Sequence, residues 1–197
     1  MSDNDASASK TAHGGSPQIW LYLVIGFGAF WVLYLMFFGP QGGGGGLSAP
    51  SLKPPASAAR VAFDWQALDL DDHSVDFARF RGRVVFVNIW ATWCPPCVAE
   101  MPSIANLASN PKLKDIAFVC ISTDSTTKPV LAFLRDKKWP MTILRATELP
   151  DSFATNAIPA TFVLDRDGRV VVSEIGAAQW DDPTAVDFLA RLAAQGS

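Results

Sequence analysis

Two cysteines enclose two prolines in the run Trp93-Cys94-Pro95-Pro96-Cys97, and this spacing constrains the chain more than any other feature. Upstream, Val84–Trp90 (VVFVNIW) is a short β-branched and aromatic run that reads as a buried strand. Downstream, Pro95 to about Asn110 reads as a helix; prolines in a first helical turn lose little, because those N–H groups have no helical acceptor. The first thiol therefore sits at a helix N-terminus, where unpaired N–H groups and the helix dipole favour a thiolate. A lowered proton affinity raises the thiolate fraction and makes the sulfur a better leaving group. The second thiol lies one turn further in, close enough to attack a mixed disulfide formed at the first. This arrangement is suited to reversible disulfide exchange.

Composition narrows the setting. The chain has 197 residues, which suits one ordinary domain plus something extra. With 16 Lys+Arg against 19 Asp+Glu and no basic run, it lacks the clustered cations that nucleic-acid binding requires. Hydrophobic residues make up 49%, too many for a chain disordered throughout. Three cysteines are too few for a disulfide scaffold.

The chain divides into four parts. Residues 1–18 are polar and small and read as a disordered tail. Residues 19–38 (IWLYLVIGFGAFWVLYLMFF) hold twenty residues without a charge. A helix of that length spans roughly 30 Å, the thickness of a bilayer's hydrocarbon core. Trp20, Tyr22 and Tyr34 near its ends fit the interfacial preference of aromatic side chains. A cleaved signal peptide is the competing reading, but such h-regions run about 7–15 residues behind a basic segment. The expectation is an uncleaved transmembrane helix. Lys10 on one side and Lys53 and Arg60 on the other leave its orientation undecided by charge. Residues 39–59 contain five consecutive glycines and then scattered prolines, a flexible then stiffer linker. It serves either as a tether with reach or as a plain spacer.

Residues 60–197 have ordinary globular composition. Besides the first strand and helix, Ile116–Ser122 reads as a buried strand and Pro129–Lys138 as a helix. The segments 161–165 and 170–175 flank Arg166-Asp167-Gly168-Arg169, a hairpin signal built on Asp-Gly. Pro183–Ala194 closes with a helix whose Val186, Leu189, Ala190 and Ala193 share one face. Phe63–Asp76 reads as an additional N-terminal β-hairpin or a loose pair of strands. Strands separated by helices, with a late hairpin, predict an α/β domain with a central mixed sheet flanked by helices.

The run from Asn88 to Cys97 (NIWATWCPPC), followed by Glu100-Met101-Pro102, resembles the thioredoxin superfamily. More closely it resembles the membrane-anchored TlpA/ResA-like thiol-disulfide oxidoreductases, some of which serve cytochrome c maturation. The likeness covers about residues 61–195 and implies a thioredoxin-like fold with an N-terminal β extension. Pro102 stands where that fold commonly kinks its first long helix. Ile158-Pro159, just before the strand Ala160–Leu164, stands where the family places a cis-proline beside the CxxC that presents backbone to substrate. An ordinary trans proline at a strand start is the plainer alternative. The turn beginning Asp165-Arg166-Asp167-Gly168 also matches.

One departure is informative. Cytoplasmic thioredoxins usually carry a buried acid six residues before the first motif cysteine, and this chain has Asn88 there. Asparagine takes no proton at neutral pH, so Glu100, three residues past Cys97, becomes the proton-handling residue expected for the second thiol. The TlpA/ResA-like proteins commonly show this same exchange. Spacing places Glu100 on the face of Cys97 but does not bury it, and a solvated acid near a helix N-terminus fits equally. Trp93, Pro95, Pro96, Ile158 and Pro159 are the expected substrate-contacting residues. Trp93 alternatively serves packing alone. Trp90 reads as core, and Cys120 within IAFVCIS as a buried small hydrophobe without a redox role. His73 lies in a turn after Asp71-Asp72, where nothing further supports a metal.

Other classes fit less well. A structural zinc site wants four ligands, and one CxxC with two distant histidines does not supply them. A thioredoxin-like metallochaperone would carry CxxxC and a late histidine, and a peroxiredoxin a PxxxTxxC pattern; neither occurs. A non-catalytic binding module would more readily lack a motif cysteine. The expectation is a membrane-tethered, extracytoplasmic thiol-disulfide oxidoreductase of the cytochrome c maturation type. Cys94 attacks, Cys97 resolves and Glu100 handles the proton; no metal or organic cofactor is required. Expected partners are protein thiols and disulfides, a membrane thiol-electron donor and the lipid bilayer, with the protein itself a monomer. An oxidase or isomerase of protein disulfides remains open, because Pro95-Pro96 does not set the potential.

Overall fold

The computed structural model describes residues 17–37, 46–55, 60–61 and 63–195. Of the expected tail over 1–18, residues 1–16 lie outside these and residues 17 and 18 belong to a helix; most of the glycine run also lies outside. The chain separates into two compact units, Met1–Gly45 and Gly46–Ser197.

In the first unit, helix α1 runs from Pro17 to Phe37, over the uncharged segment. Its side chains are described at Trp20 and over 22–31, all exposed. Among the described residues, no helix is long and apolar enough to cross a membrane. That described stretch is shorter than the backbone helix that carries it.

The second unit is built on a seven-stranded mixed sheet. Its strands are β1 (Gln66–Leu68), β2 (Ser74–Asp76), β3 (Val85–Trp90), β4 (Ala117–Ser122), β5 (Thr142–Arg145), β6 (Ala160–Leu164) and β7 (Val170–Ile175). Their order across the sheet is β2-β1-β5-β4-β3-β6-β7. Strands β3, β4 and β5 are parallel, while β6 and β7 on one side and β1 and β2 on the other are antiparallel. The expected N-terminal hairpin is thus part of the main sheet, joined through Leu68 to Arg145. Three further helices are α2 (Pro95–Ala108), α3 (Thr127–Leu134) and α4 (Pro183–Ala194).

Strand β3 is buried along its whole length, which is why its sequence does not alternate apolar with polar. Val85, Val87 and Ile89 join one core with Phe77 and Phe153, whereas Phe86 and Trp90 join the other. That second core receives Met101, Ile104 and Leu107 from α2 and Val186 and Leu189 from α4. Phe86 meets the Trp180 ring edge-on at 4.9 Å. The sheet is therefore covered on both faces, and residue 88 points into the core under α2.

Two elements differ from their sequence reading. The helix expected over 129–138 runs instead over Thr127–Leu134, with Thr126 at its N-cap position. The charged run Arg135-Asp136-Lys137-Lys138 has no apolar face to bury and stays outside it. Strand β5 was not anticipated: it has only four residues and an exposed start at Thr142, too short a run for periodicity to register.

Candidate active site

Cys94 is the N-cap residue of α2, with Pro95 and Pro96 opening the helix. Its Sγ accepts a hydrogen bond from the Cys97 N–H at 3.3 Å. The first sulfur therefore takes one of the orphan donors of the helix start. Cys94 and Cys97 form a disulfide with Cα atoms 5.3 Å apart. Cys94 keeps 5% of its surface and Cys97 none, so an incoming group reaches the first sulfur. Pro102 lies inside α2, where its missing N–H leaves the Val98 carbonyl without its helical donor.

The bond between Ile158 and Pro159 is cis. The Ile158 carbonyl oxygen lies 3.8 Å from Cys94 Sγ, within reach of the thiol once reduced. Trp93 projects beside it, 67% exposed. Trp93, Leu149, Thr155 and Ile158 line a shallow groove of about 290 Å³, with Ile89 at its base. Pro95 and Pro96, next to Cys94 in the helix start, are exposed, and Pro159 is buried.

Glu100 is fully buried. Its Oε1 accepts from Asn88 Nδ2 at 2.8 Å, and its Oε2 from the Ala178 N–H at 3.1 Å and Trp180 Nε1 at 3.3 Å. Burial raises its pKa from 4.5 to about 7; the three donors pull it down, and the Glu174 charge pushes it up. Ser103, one turn along α2, accepts from the Trp180 N–H at 3.1 Å and so holds the loop that carries two of these donors. Asn88 Nδ2 also donates to Thr161 Oγ1 at 2.9 Å, its cross-strand neighbour. Asn88 Oδ1 has no partner among the described residues.

A second carboxylate escaped sequence reasoning. Asp124, 3% exposed, accepts from the Thr92 N–H at 2.9 Å, the Thr92 hydroxyl at 2.7 Å and the Ser122 hydroxyl at 2.6 Å. It pins the loop between β3 and α2 from the end of β4. The available signal was Ser122-Thr123-Asp124 directly after a buried strand, a place where loop residues carry function in parallel sheets.

Cys120 is buried on β4 and free; burial, helped by the Glu100 charge, pushes its thiol far up. Trp90 is fully buried, as core. His73 lies with Asp69 and Asp71, their ligand atoms within 4.8 Å. The Asp69 carboxylate already accepts from the Asp71 and His73 N–H groups, which is ordinary turn chemistry.

The Redoxin family matches residues 46–189. The thiol-disulfide oxidoreductase ResA of Bacillus cereus is 33% identical over 126 residues, covering 63% of this chain and 73% of the relative. A thiol:disulfide interchange protein of the thioredoxin family from Chlorobium tepidum superposes with a TM-score of 0.57 at 24% identity, over 69% of this chain and 99% of the other. StoA from Bacillus subtilis does so at 0.52 and 19%, over 70% and 98%. These two likenesses carry the fold.

Proposed function

The chain belongs to the Redoxin family, as a TlpA/ResA-like member of the thioredoxin superfamily, and from that premise we propose a membrane-tethered, extracytoplasmic reductant of protein disulfides. Thiol-disulfide exchange is its chemistry, of the type that serves cytochrome c maturation. The observation that carries the reading is Glu100: a buried carboxyl, one helical turn past Cys97, whose proton affinity lies near neutrality.

In the reduced protein, the Cys94 thiolate attacks one sulfur of a substrate disulfide. A Cys94–substrate disulfide forms, the substrate S–S bond breaks, and the departing thiolate takes up a proton. Cys97 then gives its proton to the Glu100 carboxylate, and its sulfur attacks Cys94. The Cys94–Cys97 disulfide forms as the second substrate sulfur leaves and is protonated. Two electrons pass to the substrate, which departs as a dithiol. Ile158, held by its cis bond to Pro159, offers backbone to the substrate chain, Trp93 its groove, and the exposed Pro95 and Pro96 further contact surface next to Cys94. A membrane thiol-electron donor returns the dithiol state. The chain acts as a monomer and draws on no metal or organic cofactor.

The tether is α1. Its backbone covers 21 residues, roughly 30 Å at 1.5 Å each, and its described side chains are exposed and uncharged. A helix without a polar face is at home in lipid.

The test is a redox titration of the full chain against dithiothreitol and glutathione series, paired with trapping by Cys97→Ala. A low potential and a mixed disulfide on Cys94 with a disulfide-bonded protein support the reading. A potential high enough to oxidise substrate dithiols would assign the chain to the oxidases instead.

A further inference from the structure

Residues 46–55 follow the glycine run in sequence and lie along the second unit beside its edge strand β7. The Ser48 carbonyl accepts from the Gln179 N–H at 2.8 Å. The Lys53 carbonyl faces the Ser173 N–H at 3.4 Å. Ser51 donates to Glu174 through its N–H, at 3.0 Å, and through its hydroxyl. Pro50 is buried, and Leu52 packs on the core beneath α4, beside Phe188 and Leu192. An edge strand presents unpaired N–H and C=O groups, and this strap meets one of them, the Ser173 N–H.

The residues it grips adjoin the partners of Glu100. Gln179 stands between Ala178 and Trp180, the two donors to Glu100 Oε2. Glu174 is the carboxylate whose charge acts on Glu100, and it pairs across strands with Thr161, the partner of Asn88. Gly176, between these two grips, donates to the Pro159 carbonyl at 2.9 Å. The strap thus holds both ends of one stretch, residues 174–180.

We propose that residues 48–53 are a positioning element of the redox site, which hold the 174–180 stretch so that its donors meet Glu100. The consequence for exchange rests on the role given to Glu100 above. Glu100 also faces Cys97 on its own helix, Cys120 on β4 and Glu174 on β7, and no cation is among these groups. Burial raises its proton affinity and the hydrogen-bond donors alone oppose that rise, and two of the three donors lie in the stretch the strap holds. The residues that follow the glycine run would thereby be coupled to the chemistry of the dithiol.

The test uses the oxidised full chain in detergent. Glu100 ionisation is followed by the infrared carboxyl band missing from Glu100→Gln, and the Ala178 and Gln179 amides by hydrogen exchange. Leu52 has φ +52°, so Leu52→Asn removes the apolar anchor without adding charge or backbone strain. It should speed both amides about ten-fold and raise the Glu100 midpoint by about half a unit, since donors to the charged form lower proton affinity. Leu52→Met should restore both. Ser51→Ala, a second variant that keeps the apolar anchor and removes one donor to Glu174, should speed the same two amides and raise the midpoint in the same direction, each by less than Leu52→Asn does. Unchanged amide exchange and an unchanged midpoint in Leu52→Asn would overturn the proposal. Failure of the Glu100 role shows separately, as an exchange-rate pH profile that Glu100→Gln leaves intact.

Discussion

Asn88 Nδ2 donates to Glu100 Oε1 at 2.8 Å, joining the middle of β3 to the second turn of α2 in the core. An asparagine at 88 can only donate to or accept from its neighbour, so the titrating proton belongs to Glu100. The amide has a second use. Its Oδ1 has no partner among the described residues, so it can turn to accept from a glutamine placed at 100.

Glu100→Gln should therefore fold, and its stability should depend on pH differently from the wild type. A carboxyl raised in the folded state from 4.5 to about 7 binds more protons folded than unfolded within that window. Wild-type stability carries no penalty below about pH 4.5 and falls as pH rises toward 7. The variant lacks this loss, so its advantage should grow by about 2–3 kcal/mol between pH 4 and pH 8. Urea denaturation at both values measures it; a constant difference would mean that Glu100 titrates normally. The same variant should slow exchange about 10²-fold near neutrality and flatten its pH profile.

Alkylation of the reduced protein should modify Cys94 first, then Cys97, and leave Cys120 untouched until the chain unfolds. Cys94 alone keeps accessible surface, and Cys120 is both covered and held protonated. Peptide mapping of a time course gives the order. Faster labelling at Cys97 would reverse attacker and resolver.

Asp124→Ala should lower stability by about 2 kcal/mol, because it strands the buried Ser122 hydroxyl and the part-buried Thr92 N–H. Exchange should also slow, since the loop carrying Trp93 and Cys94 loses its tie to β4. Denaturation and exchange assays check the two effects. A cost within about 0.5 kcal/mol, the range of ordinary surface changes, would show that the loop holds itself.

Protease added to spheroplasts should digest the second unit, with the N-terminus inside and one pass through the membrane. Disulfide substrates persist mainly in oxidising outer compartments, where a tethered reductant has lasting work. Reporter fusions after Ser197 give an independent reading. Digestion only after lysis would place the domain in the cytoplasm.

Much of the scaffold was legible because its rules are local. Val84–Trp90 announced a buried strand through β-branched composition, and Pro95-Pro96 a helix start through absent N–H groups. Arg166-Asp167-Gly168-Arg169 marked a hairpin, and Gly168 indeed has φ +76° there. Each signal spans a few neighbouring residues. Strand β5 was not legible, since its place comes from pairing with β4 and β1 rather than from its own four residues.

The sequence by itself determined the reactive pair. Two thiols three residues apart at a helix start are placed by backbone geometry that any such run imposes, the first among the unpaired N–H groups and the second one turn in. It also placed Glu100 on the face of Cys97, but the acid's character was decided elsewhere. Its donors come from Asn88, twelve residues away, and from Ala178 and Trp180, about eighty away. Asp124 reaches the motif loop across thirty-two residues, and Ser51 reaches Glu174 across 123. Desolvation and hydrogen bonding depend on which distant segments close over a side chain. Local spacing supplies the candidate for proton transfer, and only tertiary packing supplies the burial that brings its pKa near neutral.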